Sequence, residues 1–430
     1  MRSSGHYPGP SYQNNTMNRP NQSIAILHYA GPPTIGGVEA TIAAHARVFA
    51  AAGHQVRIVA GVAGPLAGAE VIVDPLLGSR GELIEPVNAR LAAGDAGRAF
   101  ESLTAQIAER LSQALAGVDI AIVHNVLTLH KNLAFTAALH RLHEAGLAPR
   151  LLAWCHDFAW GDPLYQSDLH AGYPWKLLRM PWPNTTYVVV SDDRRSQLAE
   201  LLSIPIEQVA VVTPGIDLAA FLKLERETIT LIERLGLLEA DPLLLLPARI
   251  TRRKNIEQAV DIIAALRRRG QTPRLIVTGP PGPHNPSNAA YLADLQQRRT
   301  SIGDDSAVVF LYESWVDDDD RPHPVSDAVM SDLFRIADGL LFPSRYEGFG
   351  IPILEAGLAG IPIFCSDIAP FRETAGDATL RFGFDEPADQ VAERIAGALT
   401  QDQRAALRRR VRLEYTWEAI YQRAIVPLLH

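Results

Sequence analysis

Residues 344 to 355 read Ser-Arg-Tyr-Glu-Gly-Phe-Gly-Ile-Pro-Ile-Leu-Glu, which puts Glu347 and Glu355 on either side of a glycine-containing turn running into a helix opened by Pro352. Proline suits the start of a helix, where its missing N–H costs nothing, and the amides of Gly348, Phe349 and Gly350 just upstream are left free. An anion belongs there, because unpaired N–H groups and the helix dipole together favour negative charge by roughly 0.3–2 kcal/mol. A diphosphate fits. The two carboxylates then need a purpose of their own, and an ionised Glu that accepts two hydrogen bonds can grip a vicinal diol. Glu355 would reach the ribose of a nucleotide, and Glu347 the hydroxyls of a sugar. Taken alone, the same pair also fits a first-turn acid complementing the dipole and a solvated loop charge.

Other residues extend this chemistry. In Ala248-Arg-Ile-Thr-Arg-Arg-Lys-Asn255, at the exit of an apolar strand, Arg249 and Lys254 would neutralise a departing diphosphate. Its charge grows towards the transition state, which is where positioned cations raise a rate. Strand 151 to 155 delivers Cys155-His156-Asp157 at its carboxyl end. Neighbours on an extended strand point to opposite faces, so Cys155 and His156 make a poor nucleophile pair; His156 reads as a cleft residue or as a satisfied core histidine. Gly36 and Gly37 lie in a loop rich in Gly and Pro ahead of a helix, either a second place for amides to meet a phosphate or an ordinary turn. Neither Gly-x-Gly-x-x-Gly nor Gly-x4-Gly-Lys-[Ser/Thr] occurs, which argues against hydride transfer and P-loop phosphoryl transfer. Aromatic and polar residues crowd positions 158 to 175, Trp160, Tyr165 and Tyr173 among them. Sugars stack on aromatic faces, so this stretch is an acceptor-site candidate, the alternative being a loop that packs its own rings.

The elements that must hold these residues alternate. Ile24 to Tyr29, Gln55 to Ala60, Ile120 to His124, Leu151 to Cys155, Tyr187 to Ser191 and Val209 to Thr213 read as buried parallel strands. Helices such as Glu39 to Ala52 and Ala99 to Leu115 end at Gly53 and near Gly117. A second series runs through Leu243 to Arg249, Arg274 to Thr278, Ala307 to Leu311, Gly339 to Pro343 and Ile361 to Cys365, with the Ile256 to Arg269 helix between its first two strands. The class is α/β, two doubly wound Rossmann-like domains, and ligands in such sheets bind beyond the carboxyl ends of the strands. We expect a disordered tail over 1–22, a first domain over 23–217, a linker over 218–241 and a second domain over 242–414.

At 430 residues the chain is comfortable for two domains, and its formal charge of -8 argues against nucleic acid as a partner. Two cysteines far apart offer neither a disulfide framework nor metal-ligand spacing, so a reducing cytoplasm is the simplest home. The first 22 residues lack the apolar run of a signal peptide, and no window approaches the roughly 18–20 apolar residues of a membrane span. Four consecutive acids, Asp317 to Asp320, do not converge on a metal without a defined turn.

Glu347-x7-Glu355, followed by Ala-Gly and Ile361-Pro-Ile-Phe-Cys-Ser-Asp367, resembles glycosyltransferase family 4, retaining nucleotide-sugar transferases with the GT-B fold. The resemblance runs from about residue 24 to the C-terminus. It implies two domains facing across a cleft and a last helix, 415–430, packing back on the first. It implies a metal-independent hexosyltransferase without a cofactor, whose partners are a small sugar donor and acceptor, with no nucleic acid and no membrane contact. It assigns His156, Arg249, Lys254 and Glu347 to catalysis, and Gly36, Gly37, Ser191, Gly348, Phe349, Gly350 and Glu355 to the donor. Asp157, Trp160, Tyr165 and Tyr173 would meet the acceptor. The runs Thr278 to Pro286 and Ser326 to Arg335 resemble enzymes of small-solute synthesis, notably mannosylglucosylglycerate synthases, which implies GDP-mannose and glucosylglycerate. A UDP-glucose enzyme or one acting on a lipid headgroup would carry nearly the same motifs; a GT-B epimerase, a phosphorylase or a sugar-nucleotide sensor are the other readings.

Overall fold

Two parallel sheets organise the chain in the computed structural model, which describes residues 21–282, 287–316 and 321–430. The expected tail lies almost wholly outside the described residues, as do Asp317 to Asp320 and the middle of the 279 to 288 loop. Two compact units divide the rest: residues up to Pro214 together with Ile420–His430, and Gly215–Ala419.

In the first unit, β1 (Ser23–Ala30), β2 (Gln55–Val62), β3 (Glu70–Val73), β4 (Ile120–His124), β5 (Arg150–Cys155), β6 (Thr185–Val189) and β7 (Val209–Val211) form one sheet. Its order is β3-β2-β1-β4-β5-β6-β7. Every pairing is parallel. Ile24 to Leu27 are entirely buried, as a central strand covered on both faces requires. Chain order reverses between β1 and β4, so their carboxyl ends open a crevice. Strand β3 escapes sequence reading because it is a four-residue edge strand with half-exposed side chains. Residues 420 to 430 belong to this unit. Tyr421 Oη meets His54 Nε2 at 2.9 Å, and Leu428 O accepts from Arg150 Nη2 at 2.9 Å.

In the second unit, β8 (Leu243–Leu246), β9 (Arg274–Val277), β10 (Val308–Phe310), β11 (Gly339–Phe342), β12 (Ile363–Ser366) and β13 (Leu380–Phe382) take the order β10-β9-β8-β11-β12-β13. All pairings are again parallel, with the reversal between β8 and β11. The stretch 218–241 is more than a connector. It carries the helices Leu218–Leu222 and Arg226–Leu235, and Leu231 and Leu237 are fully buried in the second core. Its apolar spacing makes it part of the domain.

Candidate active site

The reversal between β8 and β11 gathers the charged candidates of the second unit. Lys254, 8% exposed, closes a 3-10 turn that follows β8, and its Nζ donates to Glu347 Oε1 in the loop after β11. Arg253 Nη1 lies 3.4 Å from the other oxygen, Glu347 Oε2. A backbone bond from Arg345 N to Arg253 O (2.8 Å) ties the two loops together, and Phe342 places its ring 4.9 Å from Lys254 Nζ. Two residues expected to hold different parts of one donor are thus a nearly buried ion pair. Arg249 is exposed and makes no ion pair among the described residues. Its segment is pinned by Gly279, where any Cβ would meet Ala248 O at 2.6 Å.

The helix after the turn spans Ile351–Ala359, with Pro352 as its second residue. Gly350 adopts φ 99°, and a Cβ there would lie 2.8 Å from the Phe371 ring. That left-handed residue and the packed ring leave room for glycine alone. Among the described residues, the N–H groups of Gly348, Phe349 and Gly350 donate no hydrogen bond. They are ready for an anion. Glu355 is exposed on the helix, with its pKa raised by partial burial and by Asp327.

In the first unit, the carboxyl ends of β1, β4 and β5 assemble histidines instead of salt bridges. His28 Nδ1 lies 2.8 Å from His124 O, and a carbonyl only accepts, so the His28 proton sits on Nδ1. His124 Nδ1 lies 3.0 Å from His156 Nε2. His124 Nε2 is buried with no partner among the described residues. A proton there would orphan a buried N–H, a rarer and costlier defect than a bare lone pair. The network therefore settles with His124 Nδ1–H donating to His156 Nε2, leaving the proton of neutral His156 on Nδ1. Burial pushes the pKa of His156 down to about 4, of His28 to about 4 and of His45 to about 3; that of His124 falls well below its ordinary value for the same reason. These imidazoles are neutral hydrogen-bonding groups at physiological pH.

Asn125, φ 58° and almost fully buried, is the residue that sequence reading missed. Its Oδ1 accepts from the backbone N–H groups of His156 (2.7 Å) and Asp157 (3.2 Å) and so sets the turn that presents both. The available signal was the pattern itself: His124-Asn125 and His156-Asp157 each end a strand. Gly36 precedes the helix Gly37–Ala51, and the Glu39 carboxylate folds over the place where a Gly36 Cβ would stand. Glu39 also acts on the His156 titration, so loop and histidine share one locality.

The remaining candidates sit apart in role. Ser191 Oγ accepts from Arg194 N (3.2 Å) and caps the helix Asp192–Leu202. Asp157 is exposed, 3.6 Å from Arg194. Trp160 has the Arg179 guanidinium 4.1 Å over its ring and donates to Trp175 O. Tyr165 packs edge-on against His130. Tyr173 rests on Phe100, with its hydroxyl 3.4 Å from Arg141. Cys155 is buried, its thiol pushed up to about 12, which removes it as a nucleophile.

Each of the two units is Rossmann-like and built on one parallel sheet, the pair of folds that GT-B proteins carry. The family model "Glycosyltransferase Family 4" matches residues 35–220 and "Glycosyl transferases group 1" matches residues 322–414, and the chain belongs to this glycosyltransferase family. Its relatives include a D-inositol 3-phosphate glycosyltransferase of Jonesia denitrificans, 29% identical over 260 residues, 56% of this chain and 57% of that protein. Another is a mannosylglucosylglycerate synthase of Petrotoga mobilis, 24% identical over 273 residues, 59% of this chain and 62% of that protein. The chain thus spans about three fifths of the length of these curated relatives. WaaG, a glycosyltransferase involved in lipopolysaccharide biosynthesis, is a similar solved structure at 19% identity and TM-score 0.34, covering 94% of this chain and 99% of that one. Among the described residues, no helix is long and apolar enough to cross a membrane.

Proposed function

We propose that this protein is a retaining hexosyltransferase that moves mannose or glucose from a nucleoside diphosphate to a hydroxyl of a small soluble acceptor. The observation that carries the reading is the row of unpaired amides at Gly348 to Gly350 beside the Lys254–Glu347 pair, at the sheet reversal of the second unit. Amides and Lys254 suit a diphosphate, Arg249 adds an uncompensated cation, Glu347 suits sugar hydroxyls and Glu355 a ribose. His156, through its Nδ1–H, suits a hydroxyl of the donor hexose; Gly36, Gly37 and Ser191 complete the donor set. Asp157, Trp160, Tyr165 and Tyr173 face the acceptor in this reading.

In the step itself, the bond from the anomeric carbon to the diphosphate oxygen breaks and the acceptor oxygen bonds to that carbon on the same face. The acceptor proton passes to the departing phosphate oxygen, whose charge Lys254 and Arg249 stabilise. Those cations take the part that a metal ion plays in other transferases, so the reaction proceeds without metal or cofactor, in the cytoplasm. GDP-mannose as donor is carried over from the sequence resemblance, and the name of the Petrotoga mobilis relative accords with mannose as the sugar and glucosylglycerate as the acceptor.

Nucleotide release from GDP-mannose and UDP-glucose is the test, with and without glucosylglycerate and simple sugars, in EDTA. Acceptor-dependent release from one donor, with the product's anomeric configuration unchanged, supports the proposal. An inverted product removes retention, dependence on added metal removes metal independence, and donor binding without release under any condition turns the reading to a sensor.

A further inference from the structure

A cavity of about 360 Å³ opens in the first unit, walled by the connections that follow β3, β4 and β5. That volume falls within the roughly 300–1,000 Å³ of small-molecule sites, on the rim where open α/β sheets bind ligands. Its polar lining includes Ser79, Arg80, Asn88, His130, Lys131 and Asp168. Neither Arg80 nor Lys131 makes an ion pair among the described residues, and both are exposed. Solvated cations are common, but the frame beneath these two is not that of a loose surface. Asn132, entirely buried, donates from Nδ2 to Leu76 O (2.9 Å) and Gly78 O (2.8 Å), while its Oδ1 accepts from Phe135 N (3.1 Å). One side chain therefore bolts the connection carrying Arg80 to the one carrying Lys131. Asn88, on the helix Ile84–Ala92 of the connection that carries Arg80, donates from Nδ2 to Lys131 O at 2.8 Å and ties the same two connections a second time.

Opposite the cations stand groups suited to hydroxyls. His130 Nε2 lies 3.6 Å from Asp168 Oδ2, and its buried Nδ1 has no partner among the described residues. Burial, only partly offset by Asp168, lowers the His130 pKa and keeps the ring neutral. The carboxylate accepts from a diol, and the imidazole has a polar atom to spare. An arginine fork and a lysine point charge call for an anion in the same molecule.

Resting on the transferase reading, we infer that this cavity binds the acceptor and that the acceptor is a small polyol bearing a phosphate or a carboxylate, its anionic group held by Arg80 and Lys131. The hydroxyls of that polyol meet Asp168 and His130.

The inference is tested by calorimetric titration of the full chain with glucose 6-phosphate, gluconate and glucose, which share a carbon skeleton and differ in charge. The expected result is that at least one anionic sugar binds ten-fold or more tightly than glucose. Arg80→Met or Lys131→Met each reduces that affinity ten-fold or more, while affinity for GDP or UDP is unchanged. The tighter of the two anions separates phosphate from carboxylate. Equal affinity for all three sugars, or anion binding that survives both substitutions, overturns the inference. Because binding is read without turnover, a protein that binds the anionic sugar at Arg80 and Lys131 but never releases nucleotide refutes the transferase reading and leaves the anion site standing.

Discussion

Both units end their strands at a reversal of chain order, yet they furnish that position in opposite ways. The second unit places formal charge there: Lys254, Arg253 and Glu347 form a connected set beside amides that have no partner. The first unit places neutral rings there, with His28, His124 and His156 linked through hydrogen bonds and depressed in pKa by burial. The contrast teaches which job each rim suits. A rim of cations and amides answers a group whose charge changes during reaction, whereas neutral imidazoles of fixed tautomer orient hydroxyls and stay out of proton exchange.

The largest expected effect breaks the charged side of this contrast. Lys254→Met should lower kcat for transfer by roughly 10²–10³, as loss of one transition-state donor does elsewhere. It should also destabilise the second unit, by less than the about 3–5 kcal/mol of a fully broken buried pair, because Glu347 loses its nearest partner but keeps Arg253 at 3.4 Å. Adding Glu347→Gln should recover thermal stability but not turnover, a split readable by calorimetry and nucleotide release. Near-normal turnover in Lys254→Met would sink the assignment.

The next effect tests the neutral side. His28, His45 and His156 have folded pKa values of about 4, 3 and 4 against 6.5 when exposed, and His124 is shifted in the same direction. Between pH about 6.5 and 4 the unfolded chain binds more protons than the folded one, so stability rises with pH across that window and is lost as pH falls through it. Each such histidine contributes at most about 1.4 kcal/mol per pH unit. Calorimetry at pH 7 and pH 5 should show a lower midpoint at pH 5; an unchanged midpoint would mean that the cluster is protonated in the fold.

A smaller loss is expected at the glycine turn. Gly350→Ala meets both a positive φ and the Phe371 ring, and should cost about 1–2 kcal/mol in stability and weaken nucleotide binding, measured by titration. The smallest sharpens the histidine relay: His124→Phe should reduce kcat a few-fold with the donor KM little changed. Nitrogen-15 NMR should then show His156 shifting from the Nδ1–H tautomer to a mixture. A His156 tautomer that is unaltered would remove His124 as its positioning residue.

Much of the fold was legible because buried parallel strands are continuous apolar runs, as Leu243 to Leu246 and Ile24 to Leu27 demonstrate. The strands that went unread, β3 and β13, are edge strands of four and three residues with partly exposed side chains. Residues 218 to 241 read as a linker because their helices are short, and only their burial shows them to be part of the second core.

For the site, sequence alone determined the residue types and the places where strands and helices would end: a glycine turn before Pro352, cations after one strand, His156 after another. Those features are local, and backbone preferences, apolar periodicity and capping act over a few residues. Sequence could not determine that Lys254 and Glu347, 93 positions apart, would share one contact, nor that Asn125 and Asn132 would fasten loops otherwise unrelated in sequence. Nor could it assign a proton to Nδ1 of His156. Partner choice and tautomer depend on which groups are shut away from water together, and only the packing of the tertiary structure decides that.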